Sequence, residues 1–423
     1  MIGKVSSIYM FGVNVIVILT IFITMYTMVM PLNPIIRSLG SNCPYITMSR
    51  SLFSVSPFST PPSPHPSPST YVPLTPSVLP SIKSRLQTDD ELVALPTETV
   101  YGLACNALSQ RGAERVFIMK QRPLTDPLIV HVLNEEEGRT LVSANDPSLE
   151  LFSTLASEFW PGPLTMILPS SDAVPPIVTS NTSTVALRSP SNEQCRAVME
   201  HCGFPLAMPS ANVFGHISPT RKEHVMGEFP TGVWIVEGEN DGGDEGRVGI
   251  ESTVVKITED YGTLLPKIQI LRPGSVTPTD ITECLESKDI EFEYLDPPVK
   301  KALGEDEVSN GAPGQSVKHY APSVPAYVWT GRGGVSEVGK TVVVDYGSSR
   351  SWLIGECLAY RSLSEGGEPE EAGRRIYDVL RWAEGVGGAE YICLPDLRGV
   401  EDERIEGIRD RIWRSSSGVV QGD

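Results

Sequence analysis

Leu95–Ala107 reads LPTETVYGLACNA. An apolar run, ELVAL at 91–95, enters it as a strand. Pro96 stops that strand, and Thr97, Glu98 and Thr99 then present two hydroxyls and a carboxylate at its end. Open α/β sheets bind ligands beyond the carboxyl ends of their strands, so the stretch predicts both a sheet and a site. Standing alone it would read as a turn capped by hydroxyls; its neighbours decide otherwise. After one helix the chain reads KQRPLTDPLIVHV, with Lys120 and Arg122 at a helix end, Pro123 breaking the helix and a new strand carrying His131. A helix C-terminus favours cations, which accounts for Lys120. Two cations and an imidazole returning to the same strand ends suit polyphosphate and carboxylate groups.

Working outward, PLIVHVL, LTMIL, TVALR, FPLAM, GVWIVEG, ESTVVKI and KIQILRP alternate with helical stretches near 111–121, 147–159, 192–202 and 219–227. That alternation predicts an α/β domain, a sheet with helices packed on it, over residues 82–286. TVALRSP places Arg188 at the end of an apolar strand, partly buried against an anion, with a plain surface arginine as the alternative. MPSANVFGHISPT (208–220) opens from a strand end into Ser210, Asn212, Gly215, Ser218 and Thr220, small residues that let backbone approach a ligand. Ser218 with Pro219 reads equally as a helix cap followed by an N1 proline. GIESTVVKI and ILRPG each set a polar triplet or an arginine at a strand terminus. A second series, AYVWT, KTVVVDYG and AEYICLPD around a helix at 369–385, predicts a small α/β domain at 326–414, ahead of a tail at 415–423. Residues 287–325, acidic and then rich in Gly and Pro, read as a linker.

Charge is unevenly placed. Residues 1–88 hold Lys4, Arg37, Arg50, Lys83 and Arg85 and no carboxylate, leaving 29 of the 34 basic residues against all 52 acidic ones, a net of −23. Such a body lacks the extended basic surface of a protein that grips long nucleic acid. The seven cysteines are scattered, without a C-x-x-C pair, which fits reduced thiols in a cytosolic or organellar matrix compartment. Residues 1–81 read as an extension. Ile8 to Met30 is apolar enough to span a bilayer, and membrane contact is expected only if that segment is retained. A sorting segment and an upstream translation start are the competing readings, since Met48 opens MSRSLFSVSPFST, of transit-peptide composition. The Pro/Ser/Thr-rich run at 57–80 reads as a disordered or extended tether, so the folded body is expected to begin near Ile82.

Taken together, PTETVYGL, K-x-RP-x-x-x-PL-x-VHV, WPGPLT, TVALR, PSAN-x-x-G-x-x-SPT, G-x-EST and LRPG occur in an order and spacing that resembles the YrdC-type threonylcarbamoyl-AMP synthase family in its long form. The resemblance implies a twisted mixed sheet with flanking helices and a Rossmann-like C-terminal domain. It implies an enzyme that joins L-threonine, bicarbonate and ATP into threonylcarbamoyl-AMP and pyrophosphate. The product would pass to a tRNA threonylcarbamoyltransferase in the cytoplasm, the mitochondrion or both. By the family's pattern Thr99, His131, Arg188, Ser210 and Ser252 hold threonine and bicarbonate. Lys120, Arg122, Asp126, Thr184, Asn212, Thr220, Arg272, His319 and Tyr320 hold ATP, with Lys120 and Arg122 stabilising charge in the reaction. Mg2+ is expected with the nucleotide rather than in a protein cage. APGQSVKHYAP (312–322) resembles the family's lid over the site, with a passive spacer as its alternative. Ala104 stands where the family has glycine, Asp126 where it has asparagine, and Gln315–Lys318 depart from its lid motif. Two rival readings are an RNA-binding module of the same fold, which the acidic body disfavours, and a hydrogenase-maturation carbamoyl transferase, whose C-x-x-C pairs are missing here.

Overall fold

The computed structural model describes residues 67–422 apart from 89–91, 144–147, 239–247, 260–264, 297–318, 332–334 and 336. The apolar segment 8–30 and most of the lid motif lie outside these residues. Among the described residues no helix is long and apolar enough to cross a membrane, and the six described cysteines are free thiols.

The first part of the chain builds β1 (Thr70–Val72), α1 (Leu79–Thr88), β2 (Leu92–Leu95), β3 (Gly102–Asn106), α2 (Gln110–Lys120), β4 (Ile129–His131), α3 (Glu135–Arg139), α4 (Leu149–Phe159), β5 (Leu164–Pro169) and β6 (Thr184–Arg188). It continues through α5 (Glu193–Cys202), β7 (Leu206–Ala207), α6 (Lys222–Glu228), β8 (Val233–Val236), β9 (Thr253–Glu259), β10 (Pro266–Arg272), α7 (Pro278–Glu286) and β11 (Glu293–Leu295). Its strands form one mixed sheet in the order β1-β8-β2-β3-β7-β4-β6-β5-β9-β10-β11. Side chains alternate across the sheet with the two-residue period of a strand. Val93 and Leu95 pack with Ile82 and Leu86 of α1 and Val198 and Met199 of α5. Ala94, Leu103, Val130 and Leu187 pack on the other side with Val116 and Phe117 of α2, Phe152 and Leu155 of α4, and Ile281 and Leu285 of α7. Local chemistry sets the helix ends. Ser109 and Asn192 cap α2 and α5 through their side chains, and Thr277 with Asp280 forms a capping box before Pro278.

The second part forms β12 (Ala326–Trp329), β13 (Thr341–Asp345), β14 (Ala359–Ser362), α8 (Pro369–Glu384), β15 (Tyr391–Pro395), α9 (Glu406–Ser415) and β16 (Val420–Gln421). All the pairings of this sheet, ordered β14-β13-β15-β12-β16, are parallel. The core of this part also takes in Val100, Ile217 and Ile250 from the first. Where the two parts meet, Gly249 has φ +83°, and a Cβ there would lie 2.3 Å from Arg374 Cα and from Gly373 O in α8.

The structure corrects two expectations, those for the tether and the linker. The presumed tether includes part of the fold: β1 pairs in parallel with β8, Thr70 opposite Trp234 and Val72 opposite Val236. Ser69 N donates to Pro230 O at 3.0 Å, and Val233 N donates to Ser69 Oγ at 3.0 Å. A three-residue strand leaves no periodic trace inside a Pro/Ser-rich run, because backbone bonds rather than side-chain pattern hold it. The presumed linker contains β11, paired in parallel with β10. The opening motif is also more than a turn, since β3 runs back antiparallel to β2. A chain begun at Ile82 loses β1 and the buried Val72. Relative to one begun at Ser67, its Tm is expected to fall by about 5 °C, from roughly 2 kcal/mol of lost burial, measured by thermal unfolding.

Candidate active site

Backbone hydrogen bonds bring the motifs together before any side chain does. Ala211 N donates to Tyr101 O at 2.8 Å, Tyr101 N to Pro219 O at 2.8 Å and Leu103 N to Pro209 O at 2.7 Å, so the segment PSANVFGHISPT runs along VYGL. Val248 N donates to Glu98 O at 2.8 Å, and Thr253 N to Pro163 O at 3.0 Å. Ala321 N donates to Gly215 O at 2.9 Å, drawing the residues after Tyr320 onto the same loop.

Arg188 ends β6 and is 4% exposed. Its guanidinium donates to Glu98 Oε1 at 2.5 Å and Thr99 Oγ1 at 3.0 Å, while the other oxygen of Glu98 accepts from Ser191 N at 3.1 Å. His131 lies directly opposite Arg188 in the β4–β6 register. Burial, then the Arg188 charge, holds its pKa down to about 3, and its Nδ1 has no partner. Ser252 is fully buried, its hydroxyl 2.7 Å from Thr165 Oγ1 and 3.0 Å from Arg272 Nη2. β5 pairs with β6 on one side and β9 on the other, so Thr165 sits on the strand between those leading to Arg188 and Ser252.

A second group surrounds the end of α2. Gln121 closes that helix with φ 52°, turning the chain into Arg122. Lys120 Nζ donates to Ser210 O at 2.5 Å and Asn212 O at 2.6 Å, gripping the PSAN segment. Burial, then neighbouring Arg122, pushes its pKa well below the usual lysine value. Arg122 pairs with Asp126 at 3.0 Å and donates to Pro127 O at 2.7 Å. Asn212 turns its amide nitrogen to Val213 O and His216 O and leaves Oδ1 buried without a partner. His319 packs edge-on against Phe214 and Tyr320. Burial, then the charges of Arg414, Arg122, Lys120 and Arg272, push the His319 pKa well below the usual histidine value. Its Nδ1 and the Tyr320 hydroxyl are buried without partners. Tyr320 adopts φ 59°, a left-handed conformation uncommon for a bulky side chain.

The predicted residues therefore gather, but not all at strand carboxyl ends. Ser252 precedes β9, and Thr184 begins the strand that Arg188 ends, about 13 Å away. β5 runs antiparallel to β6 and parallel to β9, which puts the start of β9 and the end of β6 at the same edge of the sheet with β5 between them. The Thr220 hydroxyl is engaged by Asp378 of α8 at 3.0 Å, and the Ser218 hydroxyl by Glu251 at 2.6 Å. Among the described residues no group of three His, Cys, Asp or Glu could hold a metal. Sequence reading gave no role to Thr165, Glu251, Tyr377 or Arg411. The first two stood inside quoted strings, whereas the last two belong to helices without a motif.

At the edge of the site His216 bridges two carboxylates, Glu228 of α6 through Nδ1 and Glu384 of α8 through Nε2 at 3.0 Å. Glu384 also accepts from Ser323 N and Oγ, and Arg381 pairs with Glu228 at 2.9 Å. The hydrogen bond to Glu228, then that to Glu384, raises the His216 pKa to about 9. A pKa raised on folding stabilises fully below the unfolded value and is lost as pH rises through the folded one. The Tm advantage over His216→Gln is expected to be about 2–4 °C below pH ~6.5, given partial solvent screening, and to vanish above pH ~9 in thermal melts across pH.

Comparison with known proteins identifies relatives of the chain. A family described as "Telomere recombination" matches residues 85–274, and one described as "Threonylcarbamoyl-AMP synthase, C-terminal domain" matches 276–417. The threonylcarbamoyl-AMP synthase of Pyrococcus abyssi is 39% identical over 243 residues, covering 57% of this chain and 65% of the relative. That of Bacillus subtilis is 36% identical over 244 residues, covering 57% and 64%, so the match spans just under two thirds of these two relatives. That of Schizosaccharomyces pombe is 33% identical over 285 residues, covering 62% and 67%. The crystal structure of P. abyssi Sua5 complexed with L-threonine superposes with a TM-score of 0.68 at 29% identity, over 84% of this chain and 100% of that one.

Proposed function

Since this chain belongs to the threonylcarbamoyl-AMP synthase family, in its long form with a C-terminal domain, we propose that it makes threonylcarbamoyl-AMP and pyrophosphate from L-threonine, bicarbonate and ATP. The observation that carries this reading is the pair of buried, unpartnered acceptors, His131 Nδ1 and Asn212 Oδ1, set among fixed cations. Burying such atoms without a partner costs about 1–3 kcal/mol each, a cost that a bound ligand removes.

In this reading Arg188, already aligned by Glu98, takes the threonine carboxylate, Thr99 and Ser252 bind the threonine or carbamoyl group, and Ser210 lines the same pocket. His131, neutral at physiological pH, offers a ring nitrogen to a substrate donor. The threonine amine attacks bicarbonate carbon, water leaves, and a carbamate forms. A carbamate oxygen then attacks the α-phosphorus of ATP as the bond to the β-phosphate breaks and pyrophosphate departs. Both steps need positioning and charge stabilisation rather than a protein nucleophile. Lys120, Arg122 and Arg272 supply positive charge, and Asp126 acts through Arg122. Asn212, Thr184 and Thr220 are assigned to the nucleotide, an extended molecule suited to residues at both ends of β6. His319 and Tyr320 cover it, as the part of the 312–322 lid that the described residues reach. Mg2+ would come with the nucleotide and neutralise phosphate charge, held by phosphate oxygens and water, since the nearby carboxylates of Asp126 and Glu251 are engaged by arginines. The product, a labile mixed anhydride, is passed to a tRNA-modifying transferase.

The full chain is expected to release pyrophosphate from ATP only with threonine and bicarbonate together, with the adenylate seen by mass spectrometry. Salt-sensitive RNA binding without that turnover would favour the RNA-binding reading. Arg122→Ala should lower turnover by about 100-fold, the scale of a lost charge-stabilising contact. Near-normal turnover in that variant would remove Arg122 from the site.

A further inference from the structure

Arg411 lies on α9, far along the chain from every motif, and is fully buried. Its Nε meets Glu251 Oε2 at 3.2 Å, its Nη2 donates to Glu251 O at 3.2 Å, and its Nη1 donates to Pro273 O and, at 3.3 Å, to Gly407 O. Asp410 lies 3.6 Å away, and the guanidinium carbon sits 5.5 Å from the Tyr320 ring centre. Glu251 is saturated from the other directions, Ser218 Oγ donating at 2.6 Å and Tyr377 OH at 2.5 Å. One side chain of the C-terminal part thus holds the backbones of two motif loops, G-x-EST just before Ser252 and LRPG just after Arg272.

Those loops already touch each other: Arg272 donates to Ser252 O at 3.0 Å and Ser252 Oγ at 3.0 Å. The packing leaves no slack. A Cβ on Gly407 would come within 2.7 Å of Ile250 Cδ1 and 3.3 Å of Gly274, and one on Gly274 within 2.4 Å of Thr253 N. Glu251 therefore cannot turn to water, and Arg411 is its cationic partner in the C-terminal part.

We propose that Arg411 is a positioning residue for the synthase reaction, fixing Ser252 and Arg272 through Glu251 and Pro273 so that both meet the substrates in register. The inference rests on the substrate roles given above to Ser252 and Arg272. It makes the active site incomplete without a helix from the C-terminal part, and assigns that part a catalytic-geometry role.

The test uses the full chain with Arg411→Lys, Glu251→Gln and the surface control Arg398→Ala, assayed for threonine-dependent pyrophosphate release and for Tm. Lysine keeps the charge but loses the fork that reaches four acceptors, so the threonine KM is expected to rise about tenfold with a similar fall in kcat. Glu251→Gln should show the same split and Arg398→Ala none. A lowered Tm with the threonine KM within about twofold of wild type would overturn the proposal, leaving Arg411 a purely structural residue. Should either variant fail to fold, Tyr377→Phe, which removes one hydroxyl, carries the test: about a threefold rise in threonine KM supports the proposal and no change overturns it. Wild-type chain without threonine-dependent turnover would instead sink the reaction assignment, and this role with it.

Discussion

The ion pair between Arg188 and Glu98 is the constraint around which the site is arranged. Both side chains are about 95% removed from solvent, and two charges so placed forfeit hydration that a single contact rarely repays. The deficit is met by a surrounding set of polar contacts: Thr99 and Gly162 O for the guanidinium, Ser191 N for the carboxylate. Deleting either partner would strand the other at a cost of about 3–5 kcal/mol. Those supports come from three separate segments, so the pair can exist only when PTETVYGL, WPGPLT and the end of β6 have assembled. Folding of the sheet and readiness of the pocket are in this sense one event.

Net charge gives a misleading impression of such a site. The chain is acidic overall, at −18, yet Lys120, Arg122, Arg188, Arg272, Arg411 and Arg414 are all buried. Their field is felt inside, where burial concentrates it and the exterior carboxylates are screened. Positive charge is thus concentrated inside without the molecule acquiring a basic surface that would attract RNA indiscriminately.

Much of this was legible in the sequence, and the illegible part has physical causes. Strands with side chains buried on both faces, such as TVALR and LTMIL, declare themselves by composition, and the helix ends by their caps. β1 and β11 did not, because three-residue edge strands are held by backbone bonds that leave no periodicity. Arg188 could be found because an arginine closing an apolar strand is unusual, and Lys120 with Arg122 because a proline ends their helix. Arg411 could not. Its importance lies in a contact with Glu251 across 160 residues of chain, and its own helix reads as an ordinary charged surface helix, EGIRDRIWRS. Thr220, read as a nucleotide ligand, has a protein partner in Asp378, and Ser218, read equally as lining the site or as a helix cap, caps no helix: the next one starts at Lys222, and the Ser218 hydroxyl donates to Glu251.

Gly249 gives the molecule an uneven tolerance of change. Where side chains meet other side chains, neighbours can repack when one is altered. At Gly249 backbone meets backbone, in a conformation that other residues adopt only at a cost. Variation would therefore be filtered severely at this position, two residues before Glu251, as at Gly407, where a Cβ would meet Ile250 and the backbone of Gly274. Among naturally occurring or laboratory-selected variants, single substitutions there would separate the two parts without touching a substrate, and loss of activity from them would resemble a defect of the site itself.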